Sequence, residues 1–301
     1  MKMRSLVTNT TSLKEKLSSP SLWICRDRPD WRAYAWNNSN KVLYGPVSSR
    51  RLGLSLGINL FPTGKVCSFN CIYCDLDVKL DASGYAQLMP TEQLLNRLDR
   101  EFHSYLKAGG ETPDSITFAG NGEPTLHPGF AEMVKIAKRL RDQYFPETPL
   151  NLFTDGVHLV QEGVIQCLDD FSRVFLKVDG GSMATVEIVN GSDAWMATMQ
   201  AVKVGQSLRN VAASTIVISG ASGNAEDILG EGYSQLLHIL RPLEIYLYTL
   251  DYPTVRSDIS PVSLDFLMEC AYSVATRIES PVIALWRHHR HPTLEGRNFH
   301  E

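Results

Sequence analysis

The sequence predicts an α/β protein built around a parallel sheet, and two observations favour this class. From about residue 54 onward, short β-rich runs alternate with longer stretches of helical periodicity, which is the pattern of consecutive βα units. Polar and glycine-rich motifs follow several of these runs, at the carboxyl ends of strands, where ligand-binding loops of parallel sheets meet. Six βα units fit either an open doubly wound sheet or a partial barrel.

The predicted elements alternate along the chain. The strands are six short apolar runs at 54–60, 114–120, 149–154, 173–178, 213–219 and 243–250. The helices are six longer periodic stretches at 91–108, 128–143, 159–169, 192–208, 225–240 and 264–278. Several of these helices have a residue typical of a helix start, namely Thr91, Pro128, Asn224 and Ser263.

The predicted barrel occupies residues 44–250 of the 301. Residues 1–43 are expected to form an N-terminal extension, partly anchored by three tryptophans. These tryptophans are Trp23, Trp31 and Trp36. Residues 251–301 contain a helix, a short apolar run and a polar tail, which we expect to cap the barrel.

Charge and hydropathy restrict the partners and the compartment. The chain has 29 basic and 33 acidic residues and a net charge of -4, which weighs against broad electrostatic capture of nucleic acid or anionic membrane. The N-terminus has polar and charged residues where a signal peptide needs apolar ones, and no run approaches the roughly 18 apolar residues of a membrane span. We therefore expect a soluble, cytoplasmic protein, in which clustered cysteines are more often metal ligands or catalysts than disulfides.

Three of the six cysteines lie within eight positions, in the stretch VCSFNCIYCDLD (66–77). Cys67, Cys71 and Cys74 have the spacing Cys-x3-Cys-x2-Cys, which lets one loop place thiolates at three corners of a cubic iron–sulfur cluster. One iron is then left without a protein ligand. An open coordination position on a metal usually marks chemistry.

A structural zinc site is the less favoured explanation of these cysteines. Zinc would need a fourth ligand, from Cys25, Cys167, Cys270 or a distant histidine. Cys167 and Cys270 lie inside predicted amphipathic helices and are better explained as thiols of the core.

With Tyr73 before its last cysteine, the motif resembles that of the radical S-adenosylmethionine (SAM) superfamily. Three further stretches resemble one branch, the iron–sulfur oxidoreductases related to wybutosine-synthesis and glycyl-radical-activase proteins: YGPVSSRRLGLSLGINL (44–60), FAGNGEPTLHP (118–128) and LKVDGGSMATVEIVNG (176–191). The resemblance implies a partial (β/α)6 barrel of the TIM type with N- and C-terminal extensions. It also implies one [4Fe-4S] cluster on the three cysteines, with SAM bound at the fourth iron.

SAM has an ammonium, a carboxylate, a ribose and an adenine, and several motifs can supply matching groups. In GNGEP (120–124), glycines let backbone carbonyls approach the ammonium and Glu123 adds a negative charge, although a plain strand-to-helix turn is the alternative. Thr154 and Asp155 can hold ribose hydroxyls, although an Asp before Gly is also ordinary turn chemistry, and relatives more often have Asn in place of Asp155. The predicted SAM contacts are Tyr73, Gly120, Asn121, Gly122, Glu123, Thr154, Asp155, Lys177 and Ser219.

Lys177 and Asp179 are the candidate catalytic residues. They lie two positions apart on a predicted strand, so their side chains share one face. Because a lysine is rarely buried unpaired, either the two form an internal salt bridge or Lys177 faces SAM or the substrate. The sequence leaves both open.

The sequence contains two groups of basic residues. Arg50 and Arg51 precede the first predicted strand, and the polar tail holds a second group, Arg287, His288, His289, Arg290 and His291. A solvated tail is the favoured explanation of the second group, and a clamp for an anionic substrate at the barrel mouth is the alternative.

The sequence therefore predicts a radical SAM enzyme. The resemblance implies that an external donor such as flavodoxin or ferredoxin reduces the cluster, which cleaves SAM to methionine and a 5′-deoxyadenosyl radical that takes hydrogen from an unidentified substrate. A tRNA base, a peptide or protein and a small metabolite remain open as substrates, and the acidic balance disfavours the first. The alternatives are a non-catalytic iron–sulfur electron carrier or sensor and a zinc-stabilised binding module. No second cysteine cluster follows residue 75, which excludes mechanisms that need an auxiliary cluster within this chain.

Overall fold

A computed structural model describes residues 40–74, 76, 88–251 and 256–286, and in this part eight strands form one curled sheet. In order across the sheet they are β1 (Leu43–Ser49), β2 (Gly53–Ile58), β3 (Ser115–Phe118), β4 (Leu150–Thr154), β5 (Arg173–Lys177), β6 (Val211–Ile216), β8 (Ile245–Tyr248) and β10 (Val282–Leu285). Two short strands, β7 (Ile218–Ser219) and β9 (Ser260–Pro261), pair with each other.

The order of the strands decides between the two predicted architectures. From β2 to β10 the strands of the main sheet are parallel and follow one another in chain order. A doubly wound sheet would reverse this order at a switch point, whereas a barrel does not. The predicted α/β partial barrel is therefore confirmed.

All six predicted strands are present, as β2 to β6 and β8. β1 was not predicted, because Gly45 and Pro46 interrupt its apolar pattern, and the pairing with β2 shifts register between Tyr44 and Val47. β10 arises from the short apolar run before the tail and adds a seventh parallel strand.

Eight α-helices lie in the described residues. They are α1 (Thr91–Lys107), α2 (Phe130–Tyr144), α3 (Glu162–Ile165), α4 (Met183–Asn190), α5 (Ala194–Gly205), α6 (Ala225–Leu229), α7 (Glu231–Leu240) and α8 (Leu264–Ala275). The predicted start at Ser263 is confirmed, because its hydroxyl accepts a hydrogen bond from the Phe266 amide at 3.2 Å. Thr91 was expected to precede α1 but is its first residue. Pro128 was expected in the first turn of α2 but lies before that helix.

Two helix predictions need correction, and one helix was not predicted. The stretch 159–169 forms only the single turn α3 and a short 3-10 turn, and 225–240 is divided at Gly230 into α6 and α7. α4 was missed because its residues, MATVEIVN, are rich in β-branched side chains that favour strands. Asn224 precedes α6, but its side chain does not cap the helix. The side-chain amide instead donates to the backbone carbonyls of Asp179 and Ile216.

The sheet has a helix-covered face and an inner face. Leu152 packs in the main core with residues of α1 and α2, such as Leu98. Its neighbour Phe153 points to the opposite face, where its ring centroid lies 4.7 Å from that of Phe175. Tyr246 continues this aromatic cluster, 5.3 Å from Phe175. The inner face is thus lined by aromatic side chains.

Cys270 and Cys167 are buried, as expected of core thiols. Cys270 lies in α8, but Cys167 lies between α3 and the following 3-10 turn rather than inside a helix. Cys25, the three tryptophans and the Arg/His tail fall outside the described residues, and the predicted domain boundaries stay predictions. In the described ranges, none of the helices combines the length and apolar character needed to cross a bilayer.

Candidate functional site

The three clustered cysteines lie on the loop after β2, at the carboxyl edge of the sheet. Cys67, Cys71 and Cys74 are partly exposed and form no disulfide. The Lys65 ammonium donates to Cys74 Sγ at 3.2 Å, and the Asn190 amide donates to Cys71 Sγ at 3.3 Å. N–H donors aimed at sulfur stabilise thiolates, as in the outer shells of metal sites.

The donor set fits an iron–sulfur cluster. No three His, Cys, Asp or Glu side chains in the described residues gather closely enough to share one metal ion, but a four-iron cluster does not need this because each thiolate binds a different iron. Burial, together with Asp155 and Glu123, raises the pKa of Cys67 to about 12, and burial raises that of Cys71. Metal binding must therefore release protons from these thiols.

The GNGEP turn after β3 pairs with the cysteine loop through its backbone. The Val66 amide donates to the Asn121 carbonyl at 3.0 Å, and the Glu123 amide donates to the Val66 carbonyl at 2.9 Å. Gly122 has φ +127°, and a Cβ there would lie 1.7 Å from the Val66 carbonyl oxygen. Glycine is needed for this close approach. A contact of Gly120, Asn121 or Gly122 with SAM stays a prediction.

Glu123 connects the GNGEP turn to the end of β4. The residue is 3% exposed, and its Oε1 accepts hydrogen bonds from the Thr125 amide at 3.1 Å, the Thr125 hydroxyl at 2.6 Å and the Thr154 hydroxyl at 2.7 Å. Its Oε2 accepts from the Asp155 amide at 2.6 Å. The carboxylate thus fixes two strand-end loops relative to each other, and its contact with the SAM ammonium stays a prediction.

Asp155 is buried beside Glu123. Burial and the charge of Glu123 raise the pKa of Asp155 well above its usual range. Its Oδ1 accepts a hydrogen bond from the Val157 amide at 3.0 Å. A raised pKa favours the neutral acid, which has the same charge and nearly the same shape as Asn.

Lys177 and Asp179 form a salt bridge, with 3.5 Å between Nζ and Oδ2, which is one of the two arrangements that the sequence leaves open. The Tyr73 hydroxyl, from the cysteine loop, donates to Asp179 Oδ2 at 2.5 Å and accepts from the Lys177 ammonium. The side-chain amide of Asn190 donates to the same oxygen at 2.9 Å, and the backbone amide of Ile216 donates to Oδ1 at 3.1 Å. The pair therefore connects β5, the cysteine loop, α4 and β6.

Lys177 is a stable cation in this site. Burial alone would lower the pKa of Lys177, but the charges of Asp179 and Cys71 outweigh it and raise the pKa. A lysine that holds its proton this tightly is not suited to accept one at neutral pH. Lys177 can instead stabilise negative charge or orient a partner.

Some predicted contacts lie apart from this group. The Ser219 hydroxyl donates to the Ser260 carbonyl at 3.1 Å, on the small β7–β9 sheet. The side-chain amide of Asn121 donates to the Phe61 carbonyl at 3.0 Å, so this side chain anchors the loop before the cysteines. A SAM contact of either residue stays a prediction.

Three residues of the site were missed by sequence reasoning. Lys65 and Asn190 donate to the cluster cysteines, and Asn59 Oδ1 accepts hydrogen bonds from the amides of Phe61 and Asn121 at 3.0 and 3.1 Å. Asn190 does belong to the stretch 176–191 that resembles the family, but its Asn-Gly pair also has the composition of an ordinary turn.

Curated relatives of this chain include UPF0026 proteins. One from Helicobacter pylori (strain ATCC 700392 / 26695) is 30% identical over 150 residues, which are 50% of this chain and 46% of that protein. One from Synechocystis sp. (strain ATCC 27184 / PCC 6803 / Kazusa) is 28% identical over 218 residues, 70% of this chain and 76% of that protein. The chain thus spans about half the length of the first of these relatives.

Solved structures share the fold. A structure of TYW1 with a lysine-pyruvate adduct bound has a TM-score of 0.52 and 16% identity, covering 74% of both chains. Streptococcus suis SuiB bound to S-adenosylmethionine has a TM-score of 0.53 and 13% identity, covering 78% of this chain and 52% of SuiB. Residues 61–229, more than half of the chain, match the Radical SAM superfamily and include the cysteine loop, the GNGEP turn and the Lys177–Asp179 pair. The chain therefore belongs to the radical SAM superfamily.

Proposed function

We propose that this protein binds one [4Fe-4S] cluster and cleaves SAM reductively, so that a 5′-deoxyadenosyl radical abstracts hydrogen from a substrate inside the barrel. The observation that carries the proposal is the three-cysteine loop at the carboxyl edge of the sheet, with N–H donors from Lys65 and Asn190 on two of its sulfurs. Membership of the superfamily supports an enzyme.

The residues of this chain have three tasks in that reaction. Cys67, Cys71 and Cys74 hold three irons and leave the fourth for SAM. The strand-end loops around Glu123 and Asp155 would hold the SAM ammonium and ribose. The aromatic inner face, with Phe175 at 1% exposure, keeps water away from the reacting atoms.

The electron needed for SAM cleavage must come from outside the described residues, and we propose a small carrier such as flavodoxin or ferredoxin. A non-catalytic electron carrier or sensor is the second candidate. It has no use for the aromatic inner face or for a half-buried lysine at the strand ends, and this favours the enzyme.

The test is anaerobic reconstitution followed by metal, sulfide and product analysis. We expect about four irons and about four sulfides per chain in the parent protein, and 5′-deoxyadenosine formation from SAM with a chemical reductant. Cys71→Ala should lose most of the iron and all of the product, because the cluster loses one of its three thiolates. Cys270→Ala is the matched control and should keep the cluster, since this thiol lies in the core of α8.

Two results would reject the proposal. Stoichiometric zinc without sulfide would indicate a zinc-stabilised module. A complete cluster that reduces normally but yields no 5′-deoxyadenosine from SAM would indicate a carrier or sensor.

A further inference from the structure

The turn between β1 and β2 places an arginine over the inner face of the sheet. The guanidinium carbon of Arg51 lies 4.5 Å from the ring centroid of Phe153 and 4.3 Å from that of Tyr248. Its Nη1 donates to the Ser214 hydroxyl at 2.6 Å. Arg51 is half-buried, and these contacts place its guanidinium on the inner face of the sheet.

The charge of Arg51 is not neutralised by any carboxylate within 4 Å in the described ranges. The neighbouring Arg50 differs, because its Nε lies 2.7 Å from Asp251 Oδ2 and its Nη1 donates to the Thr249 carbonyl at 3.1 Å. Of the five N–H donors of the Arg51 guanidinium, the hydrogen bond to Ser214 uses one. Arg50 is thus paired with a carboxylate, whereas the Arg51 guanidinium has N–H donors left for a bound anion.

The other cation on this face is already paired. Lys177 and Ser214 are register partners on β5 and β6, so Lys177 and Arg51 flank the same serine. Lys177 is compensated by Asp179, whereas Arg51 has no carboxylate partner among the described residues. A cation that is partly removed from water attracts an anion more strongly than an exposed one, and a guanidinium binds carboxylate or phosphate through two parallel N–H donors.

We propose that Arg51 binds an oxyanion of the substrate, a carboxylate or a phosphate, on the inner face of the barrel. The inference rests on the proposed function, since it places the substrate beside the SAM site. It assigns an anionic substrate class and makes Arg51 a specificity-determining residue. Phe153 and Tyr248 hold the guanidinium plane, and Ser214 fixes its rotation.

The test uses the reconstituted protein with SAM bound, and titrates it with benzoate and inorganic phosphate, using benzamide as the uncharged control. We expect at least one anion to bind saturably in the millimolar range or tighter, and benzamide to bind more weakly. Arg51→Met should weaken the anion roughly tenfold or more, because a charge-assisted pair of hydrogen bonds is lost. The preferred anion identifies the substrate group as carboxylate or phosphate.

The controls separate this inference from the proposed function. Arg50→Met should leave anion affinity within about twofold of the parent, because Arg50 is already paired. Arg51→Gln keeps a planar group between the rings and is the second variant, for use if Arg51→Met does not fold. The inference is overturned if a protein that cleaves SAM binds neither anion, if the anion binds the Arg51 variants as tightly as the parent, or if the anion displaces SAM and Arg51→Met weakens SAM itself. Loss of the cluster or of SAM cleavage in the parent would instead reject the proposed function.

Discussion

Asp179 and Lys177 form one ion pair, but their surroundings differ. The Asp179 side chain is 0% exposed and, besides its ion pair with the lysine, accepts hydrogen bonds from Tyr73, Asn190 and the Ile216 backbone amide. The Lys177 side chain is 24% exposed and can reach water if its partner is removed. The two residues should therefore tolerate substitution unequally.

We expect Asp179→Ala to lower the free energy of unfolding by at least about 3–5 kcal/mol, because it leaves a lysine unpaired and several buried donors without an acceptor. Lys177→Met should cost only about 1–2 kcal/mol, because the remaining donors still solvate Asp179 and the apolar stem is nearly retained. Urea unfolding of both variants and of the double variant measures the difference. Equal losses in the two single variants would show that the ion pair alone determines stability at this position.

Lys177→Met also separates structure from chemistry. If Lys177 orients SAM or the substrate, 5′-deoxyadenosine formation per folded enzyme falls steeply while most of the stability is kept. Normal product yield with a large loss of melting temperature would leave Lys177 a purely structural partner of Asp179.

The segment from the GNGEP turn to α2 is fixed by one neutral imidazole. His127 is 3% exposed, and its Nδ1 accepts a hydrogen bond from the Gly129 amide at 3.0 Å. Its other nitrogen therefore carries the proton and donates to the Met89 carbonyl at 3.1 Å, just before α1. The imidazole connects the starts of both helices, and protonation of Nδ1 would break the bond to Gly129.

We expect the stability of the protein to depend on the titration of His127. Burial lowers the pKa of this imidazole in the folded state, whereas in the unfolded chain it is about 6.5. Between these two values the unfolded chain binds more protons, so the free energy of unfolding falls as pH drops below about 6.5. Urea unfolding between about pH 5 and 8 measures this, and His127→Asn, which keeps an acceptor for Gly129, should flatten the slope.

The same substitution at His238, which is exposed on α7, controls for the loss of an imidazole as such. A His127→Asn variant with the same pH slope as the parent would contradict the assignment.

Sequence reasoning predicted the elements whose pattern is local. The buried strands β3 to β6 are short apolar runs, and their positions agree with prediction to within a few residues. β1 and α4 were not predictable in this way, because a Gly-Pro pair interrupts one and β-branched residues fill the other. Packing against the sheet overrides these local preferences.

In the candidate site, too, the features with a local sequence signal were predicted and those that depend on long-range contacts were not. The spacing of Cys67, Cys71 and Cys74 is a local signal, and it predicted the loop that the fold places at the carboxyl edge of the sheet. The donors from Asn190 and the position of Arg51 depend on contacts between residues more than a hundred positions apart. No local pattern encodes such contacts, so they needed the fold.

The three-dimensional order of the cysteine loop depends on the whole barrel. Cys71 and Asn190 are 119 positions apart, and Tyr73 and Asp179 are 106 apart. We expect that, in urea, a reconstituted protein releases its iron in the same transition that unfolds its helices and strands, because the loop has no separate source of order. Iron absorbance and far-ultraviolet circular dichroism, measured together under nitrogen, test this. Iron release at clearly lower urea would show that the loop opens independently.

The distance in sequence between Cys71 and Asn190 also sets a sequence of events during synthesis. At about 5–20 residues per second, roughly 6–24 seconds pass after the ribosome adds Cys71 before it adds Asn190. The thiols thus leave the ribosome before the amide and carboxylate that will hold their loop have been made. For that interval they depend on the reducing capacity of their surroundings, and oxygen exposure during expression should reduce the yield of chains able to accept iron even where the final fold would protect it.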